Sequence, residues 1–267
     1  MTSHTSLSMS NAIDIQNLVV EFPDVRGGVV CALQGLNLSV AKGQVYGFLG
    51  PNGAGKTTTM HVLLGFIEAA AGVARLFDED VRKTIARRRI GYLPEHPETY
   101  RFLTGRELLL MAGRLFGLSR ATLNARATEL LALVGLEKTA DRRLATYSRG
   151  MLQRIGLAQA LVNDPDLVIL DEPASGFDPL GRIRIREIIT TLRERGKTVF
   201  FSSHELSEVE RVCDRVGILA AGRLVAEGRV AELVKAGGPA VAGGLAVAGG
   251  LAVAGESLEQ YFIRVVS

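Results

Sequence analysis

The sequence predicts an α/β fold in which a parallel β-sheet is covered by helices. Two short, nearly continuous apolar runs, DLVILDEP and KTVFFSSH, are typical of parallel strands that are buried on both faces. Between them, IRIREIITTLRERG has the apolar spacing of a helix. Earlier in the chain, the apolar run QVYGFLG is followed by a glycine-rich loop and by the helix-like TTTMHVLLGFIEA. This alternation of strand and helix favours a parallel sheet.

Other elements precede that sheet. We expect residues 1–11 to form a disordered tail, because MTSHTSLSMSN is polar and has neither the basic nor the apolar region of a secretory signal. The alternating segment IDIQNLVVEF predicts an edge strand, and CALQGLNLSV predicts a second strand. These two strands give the core an antiparallel β edge.

A purely helical region interrupts the alternation, from about residue 92 to residue 163. Its helical patterns are GRELLLMAGRLFG, ATLNARATELLALVGL and GMLQRIGLAQALVN. We interpret this region as a helical subdomain that is inserted into the α/β core. The whole domain is predicted to span residues 12–236.

Two further regions follow the domain. Residues 237–256 are rich in Gly, Ala and Val, and the hexads GGPAVA, GGLAVA and GGLAVA repeat there. Because Gly pairs and Pro239 interrupt this stretch, it suits a soluble linker better than a membrane span. Residues 257–267 predict a C-terminal helix with Ser257 as a possible cap. Its apolar stripe, which we expect to dock on the body, consists of Leu258, Tyr261, Phe262 and Val265.

The composition restricts the partners that the chain can have. Lys and Arg number 31, Asp and Glu number 28, and the net charge is +3, so nucleic acid is not predicted as the main partner. The two cysteines, Cys31 and Cys213, lie far apart without metal-ligand spacing. They are expected to be buried, reduced thiols of the kind found in cytosolic proteins.

The segment GPNGAGKTT matches the phosphate-loop pattern G-x-x-x-x-G-K-[ST] in full. Its glycines let successive backbone N–H groups point at phosphate oxygens. Lys56 adds a cation for the β- and γ-phosphates, and the Thr57 hydroxyl can ligate Mg²⁺. The residues that we expect to contact the phosphates are Gly50, Pro51, Asn52, Gly53, Ala54, Gly55, Lys56, Thr57 and Thr58.

Charged side chains end two of the predicted buried strands. Asp171, at the tip of LVILDEP, is placed to hold Mg²⁺ or its water, and Glu172 could polarise a water in line with the γ-phosphate. His204 ends KTVFFSSH at the carboxyl edge of the sheet, where ligands bind. A neutral His there can hydrogen-bond the γ-phosphate and orient the attacking water. We therefore take Lys56, Glu172 and His204 as the candidate catalytic residues.

A second anion site is predicted at YSRGMLQR, where Ser148 and Gly150 stand at the start of a helix. Free N–H groups and the helix dipole favour negative charge at such a start. A simple helix cap is the alternative interpretation. Unlike the phosphate loop, this site has no lysine of its own.

These motifs resemble those of the nucleotide-binding subunits of ATP-binding cassette (ABC) transporters, over roughly residues 13–235. YSRGMLQR stands where that family has its LSGGQ signature. The other similarities are GPNGAGKTT to the Walker A motif, LVILDEP to Walker B with the catalytic glutamate, ASGFDP to the D-loop and SSH to the switch histidine.

The resemblance implies a P-loop NTPase (RecA-like) core that uses ATP and Mg²⁺. It also implies two partners, an integral membrane permease and a second nucleotide-binding subunit, and a location on the cytoplasmic face of the cell membrane. In this family two subunits pair head to tail, so Ser148 and the Gly150 amide would bind the γ-phosphate of the partner's nucleotide. Asp178, in the D-loop, would couple the two sites. IGYLPE and YSRGM resemble subunits that serve ABC-2 type, export-like permeases.

The sequence departs from the family pattern at three places. In the signature, Tyr147, Arg149 and Met151 replace the usual Leu, Gly and Gln. In the Q-loop, which in the family joins the core to the helical subdomain beneath the permease, Glu95 replaces glutamine and is expected to be a metal neighbour. PDVRGGVVCALQ lacks the aromatic residue that stacks on adenine, so Val29 or an arginine could take its place, and the use of GTP stays open.

Some alternatives remain at this point. The basic run RKTIARRR, residues 82–89, is either a solvated helix face or a contact for anionic lipid headgroups. A soluble ABC ATPase acting on ribosomes or DNA is the competing function, although such proteins usually fuse two cassettes or insert long coiled coils. An ordinary P-loop kinase or GTPase would not explain the signature-like stretch together with the Asp-Glu-Pro tip.

Overall fold

The computed structural model describes residues 11–24, 27–236 and 257–266. Apart from Asn11, the tail predicted at residues 1–11 lies outside the described residues, as does the linker predicted at residues 237–256. Within the described residues, the strands are β1 (Asn11–Pro23), β2 (Val29–Ala41), β3 (Val45–Leu49), β4 (Ala71–Leu76), β5 (Glu79–Asp80), β6 (Ile90–Leu93), β7 (Leu167–Leu170), β8 (Thr198–Ser203), β9 (Arg215–Ala220) and β10 (Arg223–Arg229). The α-helices are α1 (Lys56–Leu63), α2 (Thr84–Arg87), α3 (Gly105–Leu115), α4 (Arg120–Leu133), α5 (Arg149–Ala160), α6 (Pro179–Glu194), α7 (Leu206–Val212), α8 (Val230–Ala236) and α9 (Leu258–Val266).

A six-stranded sheet occupies the centre of the molecule, in the order β10-β9-β3-β8-β7-β6. Its strands are parallel except for β10, which runs antiparallel to β9. Every residue of β3, β7 and β8 is buried. Successive side chains enter different apolar clusters: Val199 and Phe201 pack on one face of the sheet, and Phe200 packs on the other. Burial on both faces explains the continuous apolar runs, and the predicted α/β fold is confirmed.

A four-stranded antiparallel sheet has the order β2-β1-β4-β5. The prediction of β1 as an edge strand is wrong, because β1 pairs with β2 on one side and with β4 on the other. An alternating pattern reports which face of a strand is buried, but it does not report whether both hydrogen-bonding edges are occupied. Strand β4, AGVARL, was not predicted, because it is short and begins with two small residues.

Helix α1 is shorter than the predicted helical segment at residues 57–69, since it ends at Leu63. The chain leaves the helix through Gly65, which has a left-handed φ of +71°. The Gly65 N–H donates to the Val62 carbonyl oxygen at 2.9 Å. Glycine takes this conformation without the steric cost of a Cβ, so it ends helices in this way.

Between β6 and β7 the described chain is helical, as predicted, with α3, α4, α5 and two short 3-10 helices at Glu137–Thr139 and Leu144–Thr146. A capping box starts α3, in which the Thr104 side chain accepts from the Glu107 N–H and the Glu107 side chain accepts from the Thr104 N–H. Leu109 and Leu130 belong to the same apolar cluster as Val168 and Val199 of the central sheet. The helical region is therefore packed onto the core.

Helix α9 lies where the sequence predicts a C-terminal helix. The Ser257 hydroxyl accepts from the Gln260 N–H at 3.2 Å, which caps the helix start. Leu258 and Tyr261 are fully buried, and Phe262 and Val265 pack against the same cluster. The Leu258 N–H donates to the Glu210 carboxylate of α7 at 2.7 Å. The predicted apolar stripe therefore docks on the body of the protein.

The basic run at residues 82–89 forms only the four-residue helix α2, and several of its charges have partners. Arg82 pairs with Asp80, Lys83 with Glu79, and Arg89 with Asp166. These contacts fit a solvated surface better than a free basic patch for lipids. None of the helices in the described part of the chain is long and apolar enough to cross a membrane.

Candidate nucleotide site

The segment that matches the phosphate-loop pattern lies between β3 and α1. Gly50 directly follows β3, and a Cβ there would lie 2.3 Å from the Leu219 carbonyl oxygen. A Cβ on Gly55 would lie 2.8 Å from the Ala32 carbonyl oxygen, and Gly55 has a φ of +107°. The loop is also closed internally, since the Ala54 N–H donates to the Pro51 carbonyl at 3.2 Å. Backbone from two other strands thus leaves no room for side chains at these glycines.

Lys56, the first residue of α1, is buried beneath this loop. Its Nζ donates to the Gly50 carbonyl at 2.7 Å and to the Pro51 carbonyl at 3.2 Å, and it lies 3.9 Å from Glu172 Oε1. Burial lowers the pKa of Lys56 below the ordinary lysine value, although the neighbouring carboxylates, led by Glu172, oppose this shift. An ammonium group therefore sits where the loop curls around the expected phosphates.

Thr57 and Asp171 face each other across the site. The Thr57 hydroxyl donates to Asp171 Oδ2 at 2.9 Å, and Asp171 is buried. Within the described residues, no three His, Cys, Asp or Glu side chains form a group that could hold a metal by itself. One carboxylate and one hydroxyl suit Mg²⁺, which usually takes few protein ligands and completes its shell with phosphate oxygens and water.

Glu172 and His204, which the sequence places at the ends of two strands, contact each other in the structure. Glu172 Oε2 lies 2.7 Å from His204 Nδ1, and the Glu172 side chain is only 11% exposed. Glu172 has a φ of +47°, a left-handed conformation that is uncommon for a residue with a side chain. This conformation turns the chain sharply after β7.

The structure also contains a site residue that the sequence analysis missed. Ser202, in β8, is fully buried, donates to Asp171 Oδ1 at 2.6 Å and accepts from the Glu172 N–H at 2.8 Å. A signal for it exists in the sequence, because the apolar run KTVFFSSH ends in two serines. A hydroxyl in a strand that is buried on both faces needs a hydrogen-bond partner, but the sequence does not identify that partner.

The second predicted anion site lies apart from this network. Ser148 caps α5, where its hydroxyl accepts from the Met151 N–H at 3.3 Å, and Asp178 caps α6, where its carboxylate accepts from the Gly181 N–H at 2.7 Å. Together with Gly150 they line a cavity of about 410 Å³. In the part of the chain that the structure describes, no hydrogen bond or ion pair joins these three residues to Lys56, Thr57, Asp171, Glu172 or His204.

This cavity has a positively charged wall. Arg154 and Arg184 line it together with the two helix starts. Burial, and then the neighbouring Arg184 guanidinium, lowers the pKa of Arg154 below its ordinary value. Two close guanidinium groups beside helix N-termini favour an anion in this cavity.

Two other predicted positions have less contact with the site. Glu95 is exposed in the loop after β6, and its charge is among those that act on Lys56, but within the described residues no hydrogen bond or ion pair joins it to Asp171 or Thr57. Val29 and Val30, at the start of β2, are 66% and 53% exposed. Cys31 and Cys213 are free thiols, and both are partly buried rather than buried as predicted.

Known proteins are similar in sequence to this chain over most of its length. The family model described as ABC transporter matches residues 33–175, which is more than half of the chain. The chain belongs to the ABC transporter family. It is 43% identical over 219 residues to the Nod factor export ATP-binding protein I of Paraburkholderia xenovorans, covering 80% of this chain and 72% of that protein.

Other relatives extend the comparison. An uncharacterized ABC transporter ATP-binding protein of Nostoc sp. is 50% identical over 208 residues, which cover 77% of this chain and 62% of the relative. The chain therefore spans less than two thirds of that relative's length. A solved structure of the ATP-binding subunit of an ABC transporter superposes with a TM-score of 0.73 at 31% identity, covering 82% of this chain and 90% of the other. The cassette fold is thus shared over most of the chain.

Two of the three departures from the family's signature have visible surroundings in the structure, those at Tyr147 and Arg149. Tyr147 is buried, and its hydroxyl donates to the Thr139 carbonyl at 2.7 Å. A Cβ on Gly105 would lie 2.7 Å from that hydroxyl, so the glycine makes room for the larger residue. Arg149 is exposed and lies against Gly176, where a Cβ would be 2.9 Å from its Cζ atom. Neither substitution displaces Ser148 or Gly150 from the cavity wall.

Proposed function

We propose that the protein is the ATP-binding and ATP-hydrolysing subunit of an ABC transporter, and that it powers a separate membrane permease. The observation that carries the proposal is the separation of two anion sites, of which only the first contains a lysine. Within the described residues, this lysine-free site has no hydrogen bond or ion pair to the phosphate-loop residues, so it has no role in a single chain's own nucleotide site. Head-to-tail pairing of two subunits gives this site a role, since Ser148 and Gly150 of one subunit would then complete the nucleotide site of the other.

Each residue around the phosphate loop is assigned a role in ATP hydrolysis. The loop amides and Lys56 bind the phosphates, and Thr57 and Asp171, with Glu95 nearby, would hold Mg²⁺. The bound ion would neutralise phosphate charge. Glu172 takes the proton of the attacking water as general base. Asp178 couples the two sites of the dimer.

His204 has a more specific role than the sequence suggests. A neutral imidazole has one N–H, and at 2.7 Å the Nδ1 atom is placed to donate it to Glu172. A neutral His204 that orients Glu172 in this way cannot also donate to the γ-phosphate. We propose that His204 releases Glu172 and hydrogen-bonds the γ-phosphate instead when ATP binds.

The proposed permease would dock near the loop that contains Glu95. Aromatic side chains are exposed on both sides of this loop in the sequence: Phe66 and Phe102 are each 66% exposed and Tyr100 is 56% exposed. Phe66 also packs edge-on against Tyr92 of β6, with ring centroids 6.2 Å apart. Exposed aromatic residues are enriched at protein interfaces, so these fit a partner surface. The relative whose name includes Nod factor export supports an ABC-2 type exporter as the transporter class.

Substitution of Glu172 by Gln tests the enzymatic part. Without the carboxylate base, we expect ATP to bind while hydrolysis slows by about 10²- to 10⁴-fold. Dimers should then accumulate in ATP and can be measured by light scattering. The Glu172→Gln, Ser148→Ala double variant is the control, and it should remain monomeric. Hydrolysis near the wild-type rate in Glu172→Gln would remove Glu172 from the role of base.

Copurification tests the transport part. The tagged chain should be isolated from gently solubilised membranes together with a polytopic membrane protein in stoichiometric amount. Recovery only from the soluble fraction, with ribosomes or DNA, would instead favour a soluble ABC ATPase. In that case the ATPase proposal would stand, and the permease proposal would fall.

A further inference from the structure

We propose that Ser202 is a positioning residue for ATP hydrolysis, which holds the Asp171 side chain and the Glu172 backbone in their working geometry. This inference rests on the proposed ATPase function. It concerns a residue that does not touch the nucleotide, because Ser202 is fully buried within β8. Its effect would therefore pass through the two carboxylates.

The register of the parallel sheet places Ser202 at this position. Leu170 of β7 is paired with Phe201 of β8, so the next residues along the two strands, Asp171 and Ser202, lie side by side. On its other edge, Ser202 is paired with Phe48 of β3. Ser202 thus stands between the strand that leads into the phosphate loop and the strand that carries the carboxylates.

The hydroxyl of Ser202 makes two hydrogen bonds with fixed directions. A carboxylate can only accept and a backbone N–H can only donate. Ser202 therefore uses its one hydrogen on Asp171 Oδ1, at 2.6 Å, and a lone pair on the Glu172 N–H, at 2.8 Å. One side chain links the two consecutive carboxylate residues to the neighbouring strand.

The hydrogen bond from Ser202 determines which oxygen of Asp171 is available to Thr57 and to Mg²⁺. Ser202 donates to Oδ1, while Oδ2 accepts from the Thr57 hydroxyl at 2.9 Å. If Ser202 lost its hydroxyl, Oδ1 would be a buried acceptor without its partner, and the carboxylate would turn to find another donor. The oxygen facing Thr57, where Mg²⁺ is expected, would turn with it. Partners behind a metal ligand typically change metal affinity or activity by about 10- to 100-fold.

The bond to the Glu172 N–H acts on the backbone. Glu172 has a left-handed φ of +47°, which a residue with a side chain keeps only when its surroundings fix it. The direction of the Glu172 carboxylate, and its 2.7 Å contact with His204, follow from this conformation. Since Ser202 precedes His204 by two residues, the end of β8 fixes Glu172 at both its backbone and its carboxylate.

The test compares Ser202→Ala with Ser202→Thr and with a matched control, Thr198→Val. Thr198 lies in the same strand, is equally buried, and its hydroxyl accepts from the Gly43 N–H at 2.9 Å, away from the site. We expect Ser202→Ala to lower kcat about 10- to 100-fold, to raise the Mg²⁺ concentration for half-maximal rate, and to leave ATP binding in EDTA unchanged. Ser202→Thr, which keeps the hydroxyl, should recover most of the rate.

A second measurement does not depend on hydrolysis. In the nucleotide-free protein, backbone hydrogen exchange of the peptide that contains Glu172 should be faster in Ser202→Ala than in wild type or Thr198→Val. Thermal unfolding of all three variants identifies any general loss of stability. Equal losses of kcat in Ser202→Ala and Thr198→Val, or unchanged exchange at Glu172, would overturn the proposal. Fast turnover of Glu172→Gln would instead overturn the proposed base and leave the exchange result for Ser202 unaffected.

Discussion

At the scale of single residues, the phosphate loop depends on the absence of side chains. Gly50 follows β3 directly, and a Cβ there would meet the Leu219 carbonyl oxygen at 2.3 Å. That oxygen belongs to the backbone of β9, so it cannot rotate away. The path of the loop amides is therefore tied to the neighbouring strand of the sheet.

Substitution of Gly50 by Ala should displace the loop. Hydrogen bonds from amides to a charged phosphate contribute about 1.5–3 kcal/mol each. Misplacing one of them should weaken ATP binding about tenfold to a hundredfold, as measured by calorimetry or by a fluorescent nucleotide.

Gly196→Ala provides a control for the loss of a glycine. Gly196 also has a left-handed φ, +73°, but a Cβ on Gly196 would have no atom within 4 Å. Gly196 also lies outside the candidate site. This variant should lose about 1–2 kcal/mol of stability from backbone strain while ATP binding stays unchanged. Equal affinity of both variants for ATP would contradict the proposed dependence on Leu219.

At the scale of secondary structure elements, the second predicted anion site is built from two helix starts. Ser148 caps α5 and Asp178 caps α6, and both residues border the same cavity. Capping and ligand binding make different demands on Asp178. A cap needs an oxygen that accepts from the Gly181 N–H, whereas coupling between two nucleotide sites needs the charge.

Asp178→Asn and Asp178→Ala separate these demands. Asparagine caps helices about as well as aspartate, so the free energy of unfolding of Asp178→Asn should stay close to that of the wild type. The free energy of unfolding of Asp178→Ala should be lower by about 1 kcal/mol. If the charge couples the sites, both variants should hydrolyse ATP more slowly. Steady-state kinetics and urea unfolding measure the two effects. Wild-type activity in Asp178→Asn would reduce Asp178 to a helix cap.

At the scale of the whole molecule, α9 is part of the main core although an undescribed stretch of sequence separates it from α8. Leu258 and Tyr261 are buried in the same apolar cluster as the central strands and α6. The helix also contacts α7, which begins two residues after His204. The C-terminal helix therefore supports the element that follows His204.

Leu258→Ala should destabilise the protein by about 2–5 kcal/mol, because it leaves a cavity in a fully buried position. Ile263, which is 57% exposed on the same helix, is the matched control, and Ile263→Ala should change stability by at most about 0.5 kcal/mol. Urea unfolding should show one shifted transition for Leu258→Ala. A separate early transition would show that α9 unfolds independently of the core.

Local sequence patterns were enough to predict much of the fold and of the candidate site. The apolar runs of β3, β7 and β8 predicted buried parallel strands, and the phosphate loop, Asp171, Glu172 and His204 could all be assigned to strand ends. These predictions succeeded because burial on both faces leaves a continuous apolar run, and because parallel strands bring their carboxyl ends to one edge. The resemblance of the motifs to the ABC transporter family followed from the same local segments.

Tertiary structure alone decided the features that depend on a neighbouring segment. The inner position of β1 depends on pairing with β4, and the role of Ser202 depends on the register between β7 and β8. The room for Tyr147 depends on Gly105, which lies far away in the sequence. A sequence specifies which faces of an element are apolar, but hydrogen-bond partners across a sheet are fixed only when strands assemble, since register and neighbours are properties of the pair rather than of either strand.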